Sequence, residues 1–431
     1  MTSRPSPDLD AAARFPRELA LELLGLARSH GAEFSEVYAE CTRHTTFALD
    51  EQRLKAASVS VLQGVGVRAI RGAETGYAYA DGFAPEDLRE AARVAARIAR
   101  EGSGGAPAPF RVSDPPAPFE LKSPAALVLD EPAKIGMLRR ADAAARSFDP
   151  RIREVEIAHA DSTKSFVVAN SDGLWAEDRQ FLARLSILAL ALDGDERQQG
   201  FAAAGGCVEA AYFETERTPE TVAREAAGTA ITLLGAKEPE AGAYPVIVGP
   251  GWGGVMVHEC FGHSMEGDGI RKRTSIRAAQ RGQQVAAKNV TIVDSGVVPY
   301  SRGSFRIDDE GTASQRTVLV EDGILVGYLW DLLNARLTGE TVTGNGRRSS
   351  YRDVPLCRMT NTYIEGGSGS PEDLIASTPR GLYCRHLGGG SVNPADGNFS
   401  FQVTEAWQIE NGRLTHPVRN ATLTGNGNDA M

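Results

Sequence analysis

The sequence has few cysteines and no long apolar run. Its five cysteines, among 431 residues, are odd in number and never follow a CxxC spacing, which excludes a small disulfide-stapled fold and is typical of reduced thiols in a reducing compartment. No stretch approaches the ~20 apolar residues of a membrane-spanning helix, and the polar start of the chain is unlike a signal peptide. We therefore expect a cytoplasmic protein without a membrane partner.

Basic residues are also fewer than acidic residues. The chain has 46 Lys and Arg against 56 Asp and Glu, for a net charge of -10. This sign disfavours binding to the phosphate backbone of nucleic acid or to an anionic membrane surface. Hydrophobic residues make up 42% and charged residues 24%, which is ordinary for a folded globular protein.

The hydrophobic pattern predicts an α+β fold in several modules. Residues 1–105 combine a helix, several short strands and a second helix, which together predict an N-terminal α/β-layer domain. Gly, Pro, Ser and Ala dominate residues 106–124, so we predict a linker there. Residues 125–240 predict a middle α+β module. Residues 241–431 are rich in strands and Gly-Asn turns, which favours a large curved antiparallel sheet or open barrel.

Chemically informative residues follow a short predicted strand at Val246–Val248. A glycine-rich turn leads into a helical segment that carries His258, Glu259 and His263. This order resembles the zincin helix, in which two imidazoles hold Zn²⁺ and the glutamate deprotonates water. Zincin histidines are four residues apart, whereas these are five apart, or ~140° around a regular α-helix.

The five-residue spacing leaves two interpretations open. A single π-turn, which Gly262 would make easier as a weak helix position, would bring both histidines to one face. Otherwise one histidine is exposed and the other is buried and hydrogen-bonded, and no metal is shared. Glu266 and Asp268 follow the motif. Each is a further ligand, a hydrogen-bond partner of a ligand or a solvated carboxylate.

The segment from His258 to Asp268 resembles the signature of the TldD/PmbA family of intracellular peptidases. Further blocks similar to the family follow in order: Ile307–Thr312, Leu333–Arg336, Thr343–Tyr351, Arg358–Tyr363, Leu387–Val392 and Ala421–Gly425. The H-E-x-x-x-H motif favours the TldD-like, metal-bearing branch. The resemblance implies a metalloprotease that cleaves unfolded or extended peptides and works with a TldE/PmbA-like partner subunit or as a homodimer.

Carried over residue by residue, the resemblance implies that His258 and His263 are metal ligands and that Glu259 is the catalytic glutamate. It implies Zn²⁺ as the cofactor, with another divalent metal as the alternative. In this interpretation Glu259 is the general base for a zinc-activated water.

The family's third metal ligand does not carry over from the resemblance. It is a cysteine in a segment beyond the block that matches Ala421–Gly425, and this chain ends at Met431. We therefore expect a C-terminal domain that is truncated relative to the family. The candidate substitutes for the third ligand are Cys260, Cys384, His386 and Glu266. The alternative function is a non-catalytic or impaired partner subunit, or a peptide-binding scaffold, of a TldD–TldE-type complex.

Three further motifs have competing interpretations. Gly388–Gly390 is either a place where a substrate backbone approaches closely or a tight bend in a sheet. Asp308–Glu310 is better explained as a turn than as a ligand set. Arg347 and Arg348 either bind a peptide carboxylate or pair with acids at the surface.

Overall fold

The structure, a computed structural model, describes residues 14–99, 109–119, 129–393 and 395–431. The elements of its first part are α1 (Arg17–Ala27), β1 (Phe34–Asp50), β2 (Arg53–Arg71), β3 (Glu74–Asp81), α2 (Pro85–Ile98), β4 (Arg111–Ser113), α3 (Glu131–Arg146), β5 (Ile152–Asn170), β6 (Leu174–Asp193), β7 (Glu196–Gly206), α4 (Tyr212–Thr215) and α5 (Pro219–Leu234). No helix within these described ranges has the length and apolar character needed to cross a bilayer.

One seven-stranded sheet joins the strands of the two predicted N-terminal modules. Its order is β3-β2-β1-β5-β6, and the outer edge of β6 pairs with β4 in parallel and with β7 antiparallel. The short strands that we predicted near the N-terminus are continuous, since β1 and β2 have 17 and 19 residues. The described part of the predicted linker contains β4, and the rest of that linker lies outside the described residues. The predicted domain division stays a prediction.

Alternating burial positions this sheet between two layers. Side chains of successive strand residues point to opposite faces, so Val37 packs with the core under α1 and α2, whereas Tyr38 packs on the other face against Ile307 and Tyr351. Further along the sheet, Phe47 belongs to the core formed with α3 and α5. Helices therefore cover one face, and the C-terminal region packs on part of the other.

The remaining elements form the C-terminal region. They are β8 (Val246–Val248), α6 (Gly254–Val257), α7 (Gly267–Lys272), β9 (Ile292–Ser295), β10 (Arg316–Glu321), β11 (Ile324–Leu325), α8 (Leu332–Thr338), β12 (Gly346–Arg347), β13 (Leu356–Cys357), β14 (Thr362–Ile364), α9 (Pro371–Ala376), β15 (Arg380–Val392), β16 (Asn398–Glu410), β17 (Arg413–Val418), β18 (Ala421–Asn426) and α10 (Gly427–Ala430).

These C-terminal strands form open sheets around one apolar core. Strands β17-β16-β15-β8 are joined by β18 on β16, a second sheet has the order β11-β10-β9-β14, and β12 pairs with β13. Strand β8 is parallel to β15, and the other pairs are antiparallel. The predicted α+β fold class is confirmed.

Candidate metal centre

A sharp turn connects β8 to the helix that carries the candidate site. The Gly249 amide donates to the Cys384 carbonyl at 2.8 Å, which extends the pairing of β8 with β15. Gly251 has a φ of 76°, a left-handed conformation that favours glycine. A Cβ at Gly253 would lie 2.1 Å from the Gly249 carbonyl oxygen. The glycines therefore let the chain reverse tightly before α6 begins.

The helix changes to a π-turn at the predicted position. After α6, His258–Gly262 form a π-helical turn in which the His263 amide donates to the His258 carbonyl. The two imidazole rings lie 4.8 Å apart between centroids and are nearly perpendicular, at 86°. The π-turn interpretation of the five-residue spacing is confirmed, because the wider turn brings both histidines to one face.

The side chains of His258, Glu259 and His263 form one cluster. One potential ligand atom from each lies within 4.8 Å of the other two, and within the described ranges this is the one group of at least three His, Cys, Asp or Glu with such spacing. Metal–ligand bonds of roughly 2 Å span about 4 Å across an ion, so small side-chain rotations bring these atoms to binding distance. Two imidazoles suit a divalent transition metal, and the carboxylate of Glu259 lies beside them.

Glu266 holds the ring of His263. Its Oε1 lies 3.1 Å from His263 Nδ1, and its Oε2 accepts a hydrogen bond from Arg358 at 2.9 Å. With its proton on Nδ1, His263 keeps the lone pair of Nε2 for an ion. The hydrogen bond that His263 donates to Glu266 is also the main reason that the pKa of His263 is raised. Asp268, in contrast, lies 3.7 Å from Lys272 and partners no histidine of the cluster.

His258 has a different electrostatic environment from His263. Burial, and secondarily the neighbouring His263, lower the pKa of His258. A lowered pKa favours the neutral imidazole, which is the form that binds a metal.

The structure does not bring the candidate third ligands into the cluster. Cys260 and Cys384 are buried in the apolar core, and burial raises the pKa of each thiol to about 11. His386 lies 3.6 Å from Glu405, and Glu266 is the partner of His263 described above. The cluster within the described residues therefore offers two imidazoles and Glu259.

Gly262 has a role that the sequence pattern did not reveal. Its φ of -53° and ψ of -57° are ordinary helical values, so the turn does not need the conformational freedom of glycine. A Cβ at this position would lie 1.7 Å from the sulfur of Met359. A larger residue would therefore have to displace the side chain of Met359, which packs directly against the helix. Arg358, which the sequence reasoning missed as a site residue, precedes Met359 in one of the family-like blocks.

A cavity of about 760 Å³ lies beside this helix. It is lined by Val255, one turn before Glu259, and by Gly388 and Gly389 of β15. A Cβ at Gly389 would meet open space, whereas one at Gly390 would overlap the ring of Phe401. Gly389 thus faces a cavity, and Gly390 is required by packing within the sheet.

Family models match three successive parts of the chain, and related proteins match nearly all of it. The models for PmbA/TldA metallopeptidase domain 1, central domain and C-terminal domain match residues 35–99, 125–234 and 241–431. A metalloprotease TldD homolog of Haemophilus influenzae is 36% identical over 437 aligned residues, covering 100% of this chain and 90% of that protein. Another TldD homolog, from Buchnera aphidicola subsp. Acyrthosiphon pisum, is 36% identical and covers 93% of this chain and 84% of its own length.

Two solved structures share the fold. A proposed modulator of a DNA gyrase from Thermotoga maritima has a TM-score of 0.80 at 24% identity, covering 96% of this chain and 92% of that one. TldE from Thermococcus kodakarensis has a TM-score of 0.77 at 22% identity, covering 92% and 89%. Together with the sequence matches over the full chain, these findings establish that the protein belongs to the PmbA/TldD family of metallopeptidases.

Proposed function

We propose that the chain is a cytoplasmic, metal-dependent peptidase that cleaves unfolded or extended peptides, with Zn²⁺ held by His258 and His263. The observation that supports this most directly is the π-turn, which brings both imidazoles and Glu259 within 4.8 Å of one another. The names of the related metalloproteases agree with this chemistry. All five cysteines lie within the described residues, are buried and form no disulfide bond, which is consistent with a reducing compartment.

The polar residues in and around the cluster have distinct roles in this proposal. Zinc, when bound, polarises the scissile carbonyl and lowers the pKa of the attacking water. Glu259 accepts the proton of that water and passes it to the leaving amine. Glu266 keeps His263 in the orientation and tautomer that a ligand needs, and Arg358 holds Glu266 in place.

The substrate class follows from how a backbone can be presented to the site. A peptide that adds to a sheet edge is held by main-chain hydrogen bonds, which are nearly independent of its sequence. The cavity lined by Val255, Gly388 and Gly389 has room for such a segment beside the helix. A folded domain offers no unpaired strand, so we expect it to be spared.

A second candidate function is a non-catalytic or impaired subunit that binds peptides for a TldE/PmbA-like partner or for a second copy of itself. It is favoured by the donor set, since zinc sites usually have at least three protein ligands and the two imidazoles here are joined only by Glu259 within the described residues. The likeness of the fold to TldE is consistent with this alternative.

Metal content tests the assignment. We expect the zinc-loaded parent to contain close to one zinc per chain, and His258→Ala and His263→Ala each to lose most of it after dialysis, as measured by inductively coupled plasma mass spectrometry. His30→Ala is the matched control, because His30 is exposed on the turn after α1. Stoichiometric zinc in both cluster variants would exclude these ligands, and zinc binding without peptidase activity would favour the second candidate function.

Substrate class is tested with one protein in two states. We expect the zinc-loaded chain to degrade the denatured form and to spare the folded form under the same conditions. Gly389→Val adds bulk that points into the cavity, where no other atom lies within 4 Å of the new Cβ. It should fold normally and cleave the denatured form more slowly. Equal cleavage of both forms would contradict the extended-peptide model.

A further inference from the structure

We infer that Arg184 and Arg302 form a carboxylate-binding site in a cleft that begins at the turn before the metal-centre helix, and that this site selects acidic segments of the peptide substrate. The inference rests on the proposed peptidase function and adds a substrate preference to it.

The cleft is built from three neighbouring cavities. Their volumes are about 760, 780 and 500 Å³, and Trp252 lines all three. Trp252 stands six residues before His258, in the turn that leads into α6. The cleft thus begins at the turn that precedes the metal-centre helix and runs along β6 and β7, where residues of α5 such as Thr229 also line it.

The charge of this cleft is opposite to that of the whole chain. Seven arginines line the cavities: Arg184, Arg197, Arg217, Arg224, Arg302, Arg385 and Arg419. The acidic residues that line them are Asp161, Glu225 and Glu405. A chain with a net charge of -10 therefore gathers an excess of cations at one place.

The acids of the cleft are already neutralised by partners. Lys134 lies 2.5 Å from Asp161, and Arg217 lies 2.6 Å from Glu225. Glu405 accepts a hydrogen bond from Arg385 at 2.9 Å. Arg197 and Arg419 pair with acids outside the cavities.

Three arginines of the cleft differ from the others. Within the described residues Arg184, Arg224 and Arg302 have no carboxylate within ion-pair distance, and all three are exposed. Two of them, Arg184 and Arg302, line the same cavity of about 780 Å³, together with His44.

The fold brings Arg184 and Arg302 together from separate regions. Arg184 lies on β6, opposite Gly205 of β7, and its guanidinium carbon is 6.0 Å from the centre of the Phe201 ring. Arg302 belongs to a loop of the C-terminal region. That loop is fastened to the end of β7, because the Cys207 amide donates to the Tyr300 carbonyl at 3.0 Å.

The loop that contains Tyr300 and Arg302 packs closely against Gly206 at the end of β7. A Cβ on Gly206 would lie 2.3 Å from the Tyr300 carbonyl oxygen, so only glycine admits the loop at this distance. Tyr300 itself has a φ of 58°, a conformation that is costly for an aromatic residue. The strained residue Tyr300 therefore lies two positions before Arg302, in the loop that packs on the end of β7.

Two guanidinium groups that share a cavity repel each other, and a carboxylate between them relieves that repulsion. Arginine binds carboxylates in a planar, two-pronged geometry, which makes it selective for Glu and Asp side chains. A nucleic acid is a weaker candidate, because the negative charge of the rest of the chain opposes an extended polyanion. The favoured ligand is therefore an acidic stretch of an unfolded peptide whose neighbouring bond lies at the metal centre.

The test compares two unfolded peptides with the same scissile bond, one flanked by a run of Glu and the other by a run of Gln. For the zinc-loaded full-length chain we expect kcat/KM to be about 10- to 100-fold higher with the Glu peptide, as one or two charge-assisted contacts predict. The preference should shrink in high salt. In the R184Q/R302Q double variant the ratio should fall close to one, and R302E should shift the preference toward a Lys-flanked peptide.

Arg413→Gln is the matched control, since Arg413 is an exposed arginine on β17 outside the cleft. It should keep the full preference. A parent that does not prefer the Glu peptide, or a preference that survives in R184Q/R302Q, would overturn the inference. So would single-stranded DNA that binds as tightly as the Glu peptide through the same two arginines.

A binding measurement separates this inference from the proposed function. Fluorescence anisotropy with the labelled Glu peptide and the Glu259→Gln variant requires no catalysis. Binding that depends on Arg184 and Arg302, in a chain whose parent cleaves nothing, would support the site and refute the peptidase. Cleavage by the parent without arginine-dependent binding would do the reverse.

Discussion

Two clusters of polar and charged residues in this molecule use glutamate carboxylates for different purposes. At the metal centre, His258, Glu259 and His263 are partly exposed, and Glu259 accepts no hydrogen bond from the described residues. A second cluster lies buried between the seven-stranded sheet and the C-terminal region. There Arg68 is 3.0 Å from Glu36 and 2.7 Å from Glu310, and the side chains of all three are at most 1% exposed.

The difference lies in how many of the polar atoms are already used. Arg348 and Arg68 bind the two oxygens of Glu36, and those of Glu310 bind Arg68 and the amide of Leu332. A carboxylate with both oxygens occupied joins two parts of the fold and is not available to a ligand. Free polar atoms, rather than the mere presence of charge, therefore mark a candidate site in this protein.

The largest effect is expected when the unpartnered carboxylate is removed. Glu259→Gln should lower peptide cleavage by about 10²- to 10⁴-fold, the usual contribution of a positioned acid–base group. Zinc content and thermal stability should stay close to those of the parent, because Glu259 has no structural partner within the described residues. Steady-state kinetics together with metal analysis check this, and activity within a few-fold of the parent would exclude Glu259 as the base.

Breaking the buried cluster should change stability instead. Arg68→Met leaves two buried carboxylates with one partner fewer, and we expect it to lower the free energy of unfolding by about 3–5 kcal/mol. Urea denaturation measures the change, with Arg413→Met as the exposed control. A loss below about 1 kcal/mol would show that the cluster does not hold the two regions together.

A smaller effect is expected at Glu266, which contacts the candidate ligand His263 and also pairs with Arg358. Glu266→Gln keeps the size of the side chain but weakens the hold on His263, so zinc affinity should fall by about 10- to 100-fold. Competition with a fluorescent chelator measures this affinity. Asp268→Asn is the control, because Asp268 lies near Lys272 instead of a histidine. Equal affinities for both variants would remove Glu266 from the metal centre.

The smallest effect concerns pH and Asp331, the N-cap residue of α8. Burial, and then the nearby charge of Glu310, raise the pKa of Asp331 from 3.8 to about 6. The folded state therefore favours the neutral acid, and this stabilisation is complete below pH 3.8 and is lost as the pH rises through about 6.

Asp331→Asn should remove that dependence, since asparagine is neutral and also caps helices well. The difference in free energy of unfolding between variant and parent should grow in favour of the variant by at most about 1.4 kcal/mol per pH unit between pH 4 and 6. Urea denaturation across this range measures it. A difference that does not vary with pH would show that Asp331 does not titrate as described.

Local chemistry could be predicted from the sequence where it depends on spacing along one element. The five-residue separation of His258 and His263 required a π-turn for a shared face, and the structure has that turn. The same holds for Asp308–Glu310, where the Gly311 amide donates to the Asp308 carbonyl as expected of a turn. In both cases the backbone periodicity decides which side chains meet.

Contacts between distant residues were decided only by the tertiary structure. Arg348, for which the sequence left a peptide-binding and a surface role open, is buried and pairs with Glu36, 312 positions away. Gly262 packs directly against the side chain of Met359, and Arg184 shares a cavity with Arg302. Periodicity determines which face of a strand or helix a residue occupies, but not which other element will pack against that face. Such pairs form only when whole sheets and loops dock, and their energies depend on burial that no local pattern in the sequence contains.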